Sequence, residues 1–186
     1  MRVVSASRRA SGLKESKFNM VRDWFMVELG LQAGLRVSEM TSLRHSDLFL
    51  DEDRSSISVL GKGQKRRPVW VGSAFKAICF TYLKDKRRFG YSSDPESYLL
   101  NHLRDGRLTK RTLQKRFTQL LKDASLPSYY YIHCLRHTYT TFLLRASNNN
   151  YRFAQKQLGH ASIRTTQVYA GIVETDVRMA LEKLYD

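Results

Sequence analysis

Apolar side chains recur at helical spacing between Ser16 and Leu31, at Met20, Trp24, Phe25, Val27 and Leu31. The pattern predicts a helix capped by Ser16 and ended by Gly34, with a short helix after it over Val37 to Leu43, opened by Ser38 and Glu39. The texture then changes. Phe49, Leu50, Ile57, Val59, Val69, Trp70 and Val71 are strand formers, interrupted by Asp51–Asp53 and by Gly61-Lys62-Gly63. They predict a small antiparallel sheet of about three strands. Helical patterning resumes over Ser73–Arg88. A turn-rich loop spans Gly90–Pro95, and Tyr98–Leu100 reads as extended. An amphipathic helix fits Thr109–Ala124, with Lys110, Arg111, Lys115 and Arg116 on its polar side, and Pro127 follows as a breaker. Further helices fit Leu135–Ala146, Tyr151–Leu158, Ser162–Tyr169 and Thr175–Leu184. The expected fold class is α+β, predominantly α-helical with one small three-stranded antiparallel sheet. Met1–Arg9 is basic and Ser-rich but lacks the apolar core of a secretory signal, and residues 1–15 are the loosest stretch of the chain. They read as a flexible arm or linker remnant ahead of one domain over 16–186.

Charge changes the picture. The 186 residues hold 32 Lys and Arg against 17 Asp and Glu, a formal net charge of +15. Such a surplus repels itself in isolation and suits a polyanion, nucleic acid first. Other classes find no support. Cys79 and Cys134 form no C-x-x-C pair, lie among apolar neighbours and read as reduced core residues. Apolar runs stay short of the roughly 18 residues that span a bilayer. The sequence carries no H-E-x-x-H, no Cys/His ligand set, no P-loop and no G-x-S-x-G elbow, so no metal or cofactor site is expected.

Four patches can carry chemistry. Arg36, just past Gly34 and between two helices, can aim a planar fork at two oxygens of one phosphate, or can pair with Glu39 on the surface. Lys62, Lys65, Arg66 and Arg67 crowd a hairpin tip flanked by glycines, which suits a nucleic-acid backbone or a solvated turn. His133 and Arg136 share a face if their segment opens a helix, and His137 points elsewhere. His160 sits in a bend between Gly159 and Ser162, with Tyr169 nine residues on. Spacing alone does not select Tyr169 from the ten tyrosines.

In order, these patches read G-L-R-V-S-E, G-K-G-x-K-x-R, H-x-L-R-H-T and L-G-H-x-S-x-x-T-T-x-x-Y. The set resembles the tyrosine recombinase family of phage integrases and Xer resolvases, from about Ser16 to the C-terminus. The resemblance implies a catalytic set of Arg36, Lys62, His133, Arg136, His160 and the nucleophile Tyr169, with Glu39 as the acidic support of the first arginine. It implies a 3′-phosphotyrosine intermediate, with neither metal nor ATP. Double-stranded DNA is the expected partner, contacted by Lys65, Arg66, Arg67, Lys110, Arg111 and Lys115. Self-association on DNA as a tetramer is expected, with helix 171–186 and its Met179, Leu181 and Leu184 docked on a neighbour. The expected location is the cytoplasm, for a protein of bacterial, archaeal or phage-encoded origin, without a membrane partner. The family's N-terminal core-binding domain is not recognised here. Two competing readings are a type IB topoisomerase-like nicking and resealing enzyme, and a non-catalytic DNA-binding relic of a mobile element.

Overall fold

A computed structural model of the chain describes residues 2–52, 54–61, 65–102 and 106–159, with side chains from 16 onward. Its elements are α1 (Arg2–Gln32), α2 (Val37–Met40), a 3-10 turn (His45–Asp47), β1 (Leu48–Leu50), β2 (Ser55–Leu60), β3 (Arg66–Trp70), α3 (Ser73–Arg88), α4 (Lys110–Asp123), α5 (His133–Ala146) and α6 (Tyr151–Leu158). The sheet has the order β1-β2-β3, antiparallel throughout, with Ile57 opposite both Leu48 and Val69. The mostly helical α+β class is as expected. Of the segment expected to be extended over Tyr98–Leu100, only Tyr98 forms a bridge, to Arg44, and Leu99 and Leu100 are bends. Helices expected over Ser162–Tyr169 and Thr175–Leu184 lie outside the described residues.

The first helix departs from the expectation in two ways. It starts at Arg2, so the helix start expected at Ser16 falls inside α1. Arg, Ala, Leu, Lys and Glu favour helix by propensity without any apolar stripe, so periodicity was blind to this stretch. The buried face is also rotated. Phe18, Phe25, Met26 and Leu29 are fully buried, whereas Met20 and Trp24 are exposed. Two charged residues, Arg22 and Asp23, occupy the inner side instead. Arg22 Nη1 donates to the Asn101 carbonyl at 3.1 Å, and Arg116 Nε donates to Asp23 at 2.7 Å. Buried charge held by partners is tolerated, and it displaces the apolar stripe that a simple hydropathy reading assumes.

The core lies between α1, the sheet, α3 and the inner faces of α4 and α5. Phe25 stacks on Tyr82 with ring centroids 3.9 Å apart. The sheet contributes Ile57, Val59 and Val69. Leu113, Phe117 and Leu121 anchor α4, whose start is capped by Thr109 accepting from the Thr112 amide at 3.0 Å. Cys79 is buried, and burial pushes its thiol pKa up to about 12, so it stays protonated. Cys134 is only half-buried, a correction to its reading as a core residue.

Candidate active site

The site forms where α2, β3, the start of α5 and the end of α6 meet. Helix α1 ends at Gln32, and Gly34 turns the chain with φ of +61°. A side chain there would be strained by that φ and would also clash with the Tyr139 ring. The tight turn delivers Arg36 to the N-cap position of α2, not Ser38 as the sequence suggested. Glu39, three residues on, accepts the Arg36 amide at 2.7 Å and so fixes the helix start.

Glu39 is the hub. Its side chain is 3 % exposed. Besides the Arg36 amide, it accepts from Arg36 Nη1 at 3.0 Å and from Arg67 Nη1 at 3.0 Å, and Arg136 Nη1 lies 3.8 Å away. Burial by itself drives this carboxyl pKa up. The Arg36 amide and the Arg67 and Arg36 charges outweigh burial and leave it below its ordinary value.

A second hub is a backbone oxygen. The Leu158 carbonyl, at the end of α6, accepts from Arg136 Nη2 at 2.8 Å, Arg67 Nη2 at 3.0 Å and Arg36 Nη1 at 3.5 Å. Arg36 Nη2 reaches the next carbonyl, Gly159, at 3.4 Å. Arg136 also donates through Nη1 to Gly34 at 2.6 Å, so one fork spans the α1–α2 turn and the α6 end. Three guanidinium groups thus share one carboxylate and the unsatisfied carbonyl end of a helix, where partial negative charge favours cations. Arg136 is nearly buried, while the Arg36 side chain is 35 % exposed.

His133 opens α5 one turn before Arg136, as the shared face required. It is half-buried. Burial, His137 and the Arg136 and Arg36 charges together hold its pKa below the ordinary 6.5. The shift favours the neutral imidazole at neutral pH. NMR titration of the free protein should place its midpoint below 6.5, and His137→Gln should move that midpoint upward by removing a like charge. A midpoint at or above the ordinary value in the native protein would contradict the environment described. His137 itself is exposed, edge-on to Tyr131 with ring centroids 6.5 Å apart.

The structure therefore brings together Arg36, Glu39, His133 and Arg136. Lys62, His160 and Tyr169 lie outside the described residues, although His160 directly follows the Gly159 held here. The residues expected to contact DNA divide. Lys65, Lys110, Arg111 and Lys115 are exposed. Arg66 also has an exposed side chain but pairs with Asp47 and donates to Ser58 Oγ at 3.0 Å. Arg67 points inward, 17 % exposed, into the arginine–glutamate centre. Sequence reasoning grouped it with the surface cations of the hairpin. The available signal was strand alternation: Arg67 shares its face with the buried Val69. Gln157 was also missed. From α6 it donates to the Trp70 carbonyl at 2.7 Å and accepts from the Trp70 amide at 3.2 Å, pinning the helix to the open edge of β3.

The phage integrase family model matches residues 8–174. The chain belongs to the phage integrase family. Tyrosine recombinase XerC of Caldanaerobacter subterraneus subsp. tengcongensis is 34% identical over 163 residues, 87% of this chain and 44% of the relative. The crystal structure of the XerA recombinase is 26% identical and superposes with a TM-score of 0.71, over 93% of this chain and 61% of that one. A post-cleavage complex of the XerH site-specific recombinase with palindromic difH substrate shares the fold. Its TM-score is 0.70 at 22% identity, over 93% of this chain and 52% of XerH. The chain spans about half the length of the curated relatives it matches. The matched residues 8–174 include the arginine–glutamate centre of this chain.

Proposed function

We propose that this chain is the DNA-cleaving and -rejoining domain of a site-specific recombinase, acting on double-stranded DNA in the cytoplasm. The observation that carries the reading is the charge imbalance of the centre. Arg36, Arg67 and Arg136 surround a single carboxylate, Glu39, and Arg36 is partly open to solvent. The surplus positive charge suits a phosphodiester, whose non-bridging oxygens gain negative charge in a pentacoordinate transition state.

In this reading the Tyr169 hydroxyl attacks the scissile phosphorus. Its P–O bond forms as the bond to the 5′-oxygen breaks, leaving a 3′-phosphotyrosine and a 5′-hydroxyl. Arg36 and Arg136 bind the non-bridging oxygens, and His160 adds a hydrogen bond. Neutral His133 takes the tyrosine proton or holds the phosphate, and Lys62 protonates the departing oxygen. Attack by the 5′-hydroxyl of a partner strand reverses the chemistry and completes exchange, so the phosphodiester energy is never lost to water. Exposed Lys65, Lys110, Arg111 and Lys115 supply backbone contacts. Assembly on DNA is a tetramer, with segment 171–186 packed on a neighbouring copy.

The test is a nicked suicide duplex pool of varied sequence, incubated in EDTA with the native protein and with Tyr169→Phe. A covalent band on a denaturing gel is expected for the native protein and not for the variant. An adduct that survives Tyr169→Phe, or clear DNA binding with no adduct across the pool, contradicts the proposal.

A further inference from the structure

We propose that Arg67 is a positioning residue for strand cleavage, which rests on the recombinase reading above. Arg67 lies on β3, paired with Val59. From β3 its guanidinium reaches the same two groups that Arg36 and Arg136 approach from their own helices. Nη1 donates to Glu39, the carboxylate that holds Arg36, and Nη2 donates to the Leu158 carbonyl, which Arg136 also holds. Arg67 is therefore the brace between the two arginines that face the phosphate.

The local chain is shaped around this brace. Gly159 ends α6 in the left-handed region, with φ of +64°. A Cβ at Gly159 would meet the Arg67 guanidinium carbon at 2.7 Å, so the absence of a side chain leaves room for the arginine. Gln157 adds an independent pin from α6 to β3 through Trp70. The chain leaving this anchored corner runs directly into His160 and on to Tyr169. Arg67 thus sets where Arg36 points and from which place the segment carrying the nucleophile departs. Lysine cannot replace it fully, because a single ammonium lacks the fork that spans the carboxylate and the carbonyl.

The experiment compares native protein, Arg67→Gln and Arg67→Lys on a suicide duplex that the native protein has already been shown to cleave. Adduct formation is timed at saturating DNA, and affinity is measured against salt in parallel. Thermal melting establishes the folded fraction. Arg67→Gln is expected to lower the saturated rate by about 10–100-fold, the scale for residues that orient reactive groups. Affinity and its salt slope stay at the native values, and Arg67→Lys recovers part of the rate. Replacing the 5′-bridging oxygen of the duplex by sulfur, which leaves without needing a proton, is expected not to restore the rate.

Weaker binding and a shallower salt slope with an unchanged saturated rate would make Arg67 a DNA backbone contact and overturn the proposal. So would a native rate per folded molecule in both variants, or full recovery with the sulfur duplex, which would place the defect in leaving-group protonation. If Arg67→Gln does not fold, Arg67→Lys carries the same comparison with an intermediate loss expected. Because the native protein is tested first, its failure to form an adduct speaks against the recombinase reading, whereas a variant that matches it speaks against Arg67 alone.

Discussion

Arg136→Lys is expected to lower the rate of DNA strand cleavage by about 10²–10³-fold, the cost of removing one oriented donor from a developing oxyanion. The charge survives this substitution, so the loss isolates geometry. The arginine fork holds the Gly34 and Leu158 carbonyls at 2.6 and 2.8 Å, on opposite sides of the site. A lysine nitrogen can satisfy one of them, which leaves the other carbonyl without this donor and the charge displaced from the phosphate. Single-turnover adduct formation at saturating DNA measures the effect. A rate within about threefold of the native protein would mean that the fork is not used in the transition state.

Glu39→Ala is expected to destabilise the fold by about 3 kcal/mol, the lower end for breaking a buried ion pair, because Arg36 shares its charge with solvent. The physical cause is repulsion. With Glu39 gone, three guanidinium groups converge without a counter-ion and the Arg36 amide loses its acceptor. Urea unfolding should show a lower midpoint at an unchanged slope. The same residue predicts a pH dependence. Its folded-state pKa is lowered, so its contribution is fully present above the ordinary carboxyl value of 4.5 and is lost as pH falls through the lowered value. The native protein should therefore lose stability on acidification over that window more steeply than Glu39→Ala. Equal acid sensitivity of the two would remove Glu39 from its role as the hub of the centre.

The sequence by itself determined the element types, because they follow from local patterning. Ile57, Val59 and Val69 marked the sheet, and the helices over Ser73–Arg88 and Tyr151–Leu158 have the expected bounds. The ordered motifs that hold Arg36, Lys62, His133, Arg136, His160 and Tyr169 also carried the resemblance to the family that the family model matches. The inner face of α1 was not legible. Hydropathy ranks Arg22 and Asp23 as surface residues, and only the tertiary partners Asn101 and Arg116 make their burial tolerable. Strand alternation puts Arg66 and Arg67 on opposite faces, but it does not name the partner of either. The strand pleat sends one towards Asp47 and the other into Glu39, and the carboxylate and carbonyl that receive Arg67 come from residues 28 and 91 positions away. Local pattern records what a residue prefers. Which charges share a carboxylate depends on long-range approach, and only the folded chain decides it.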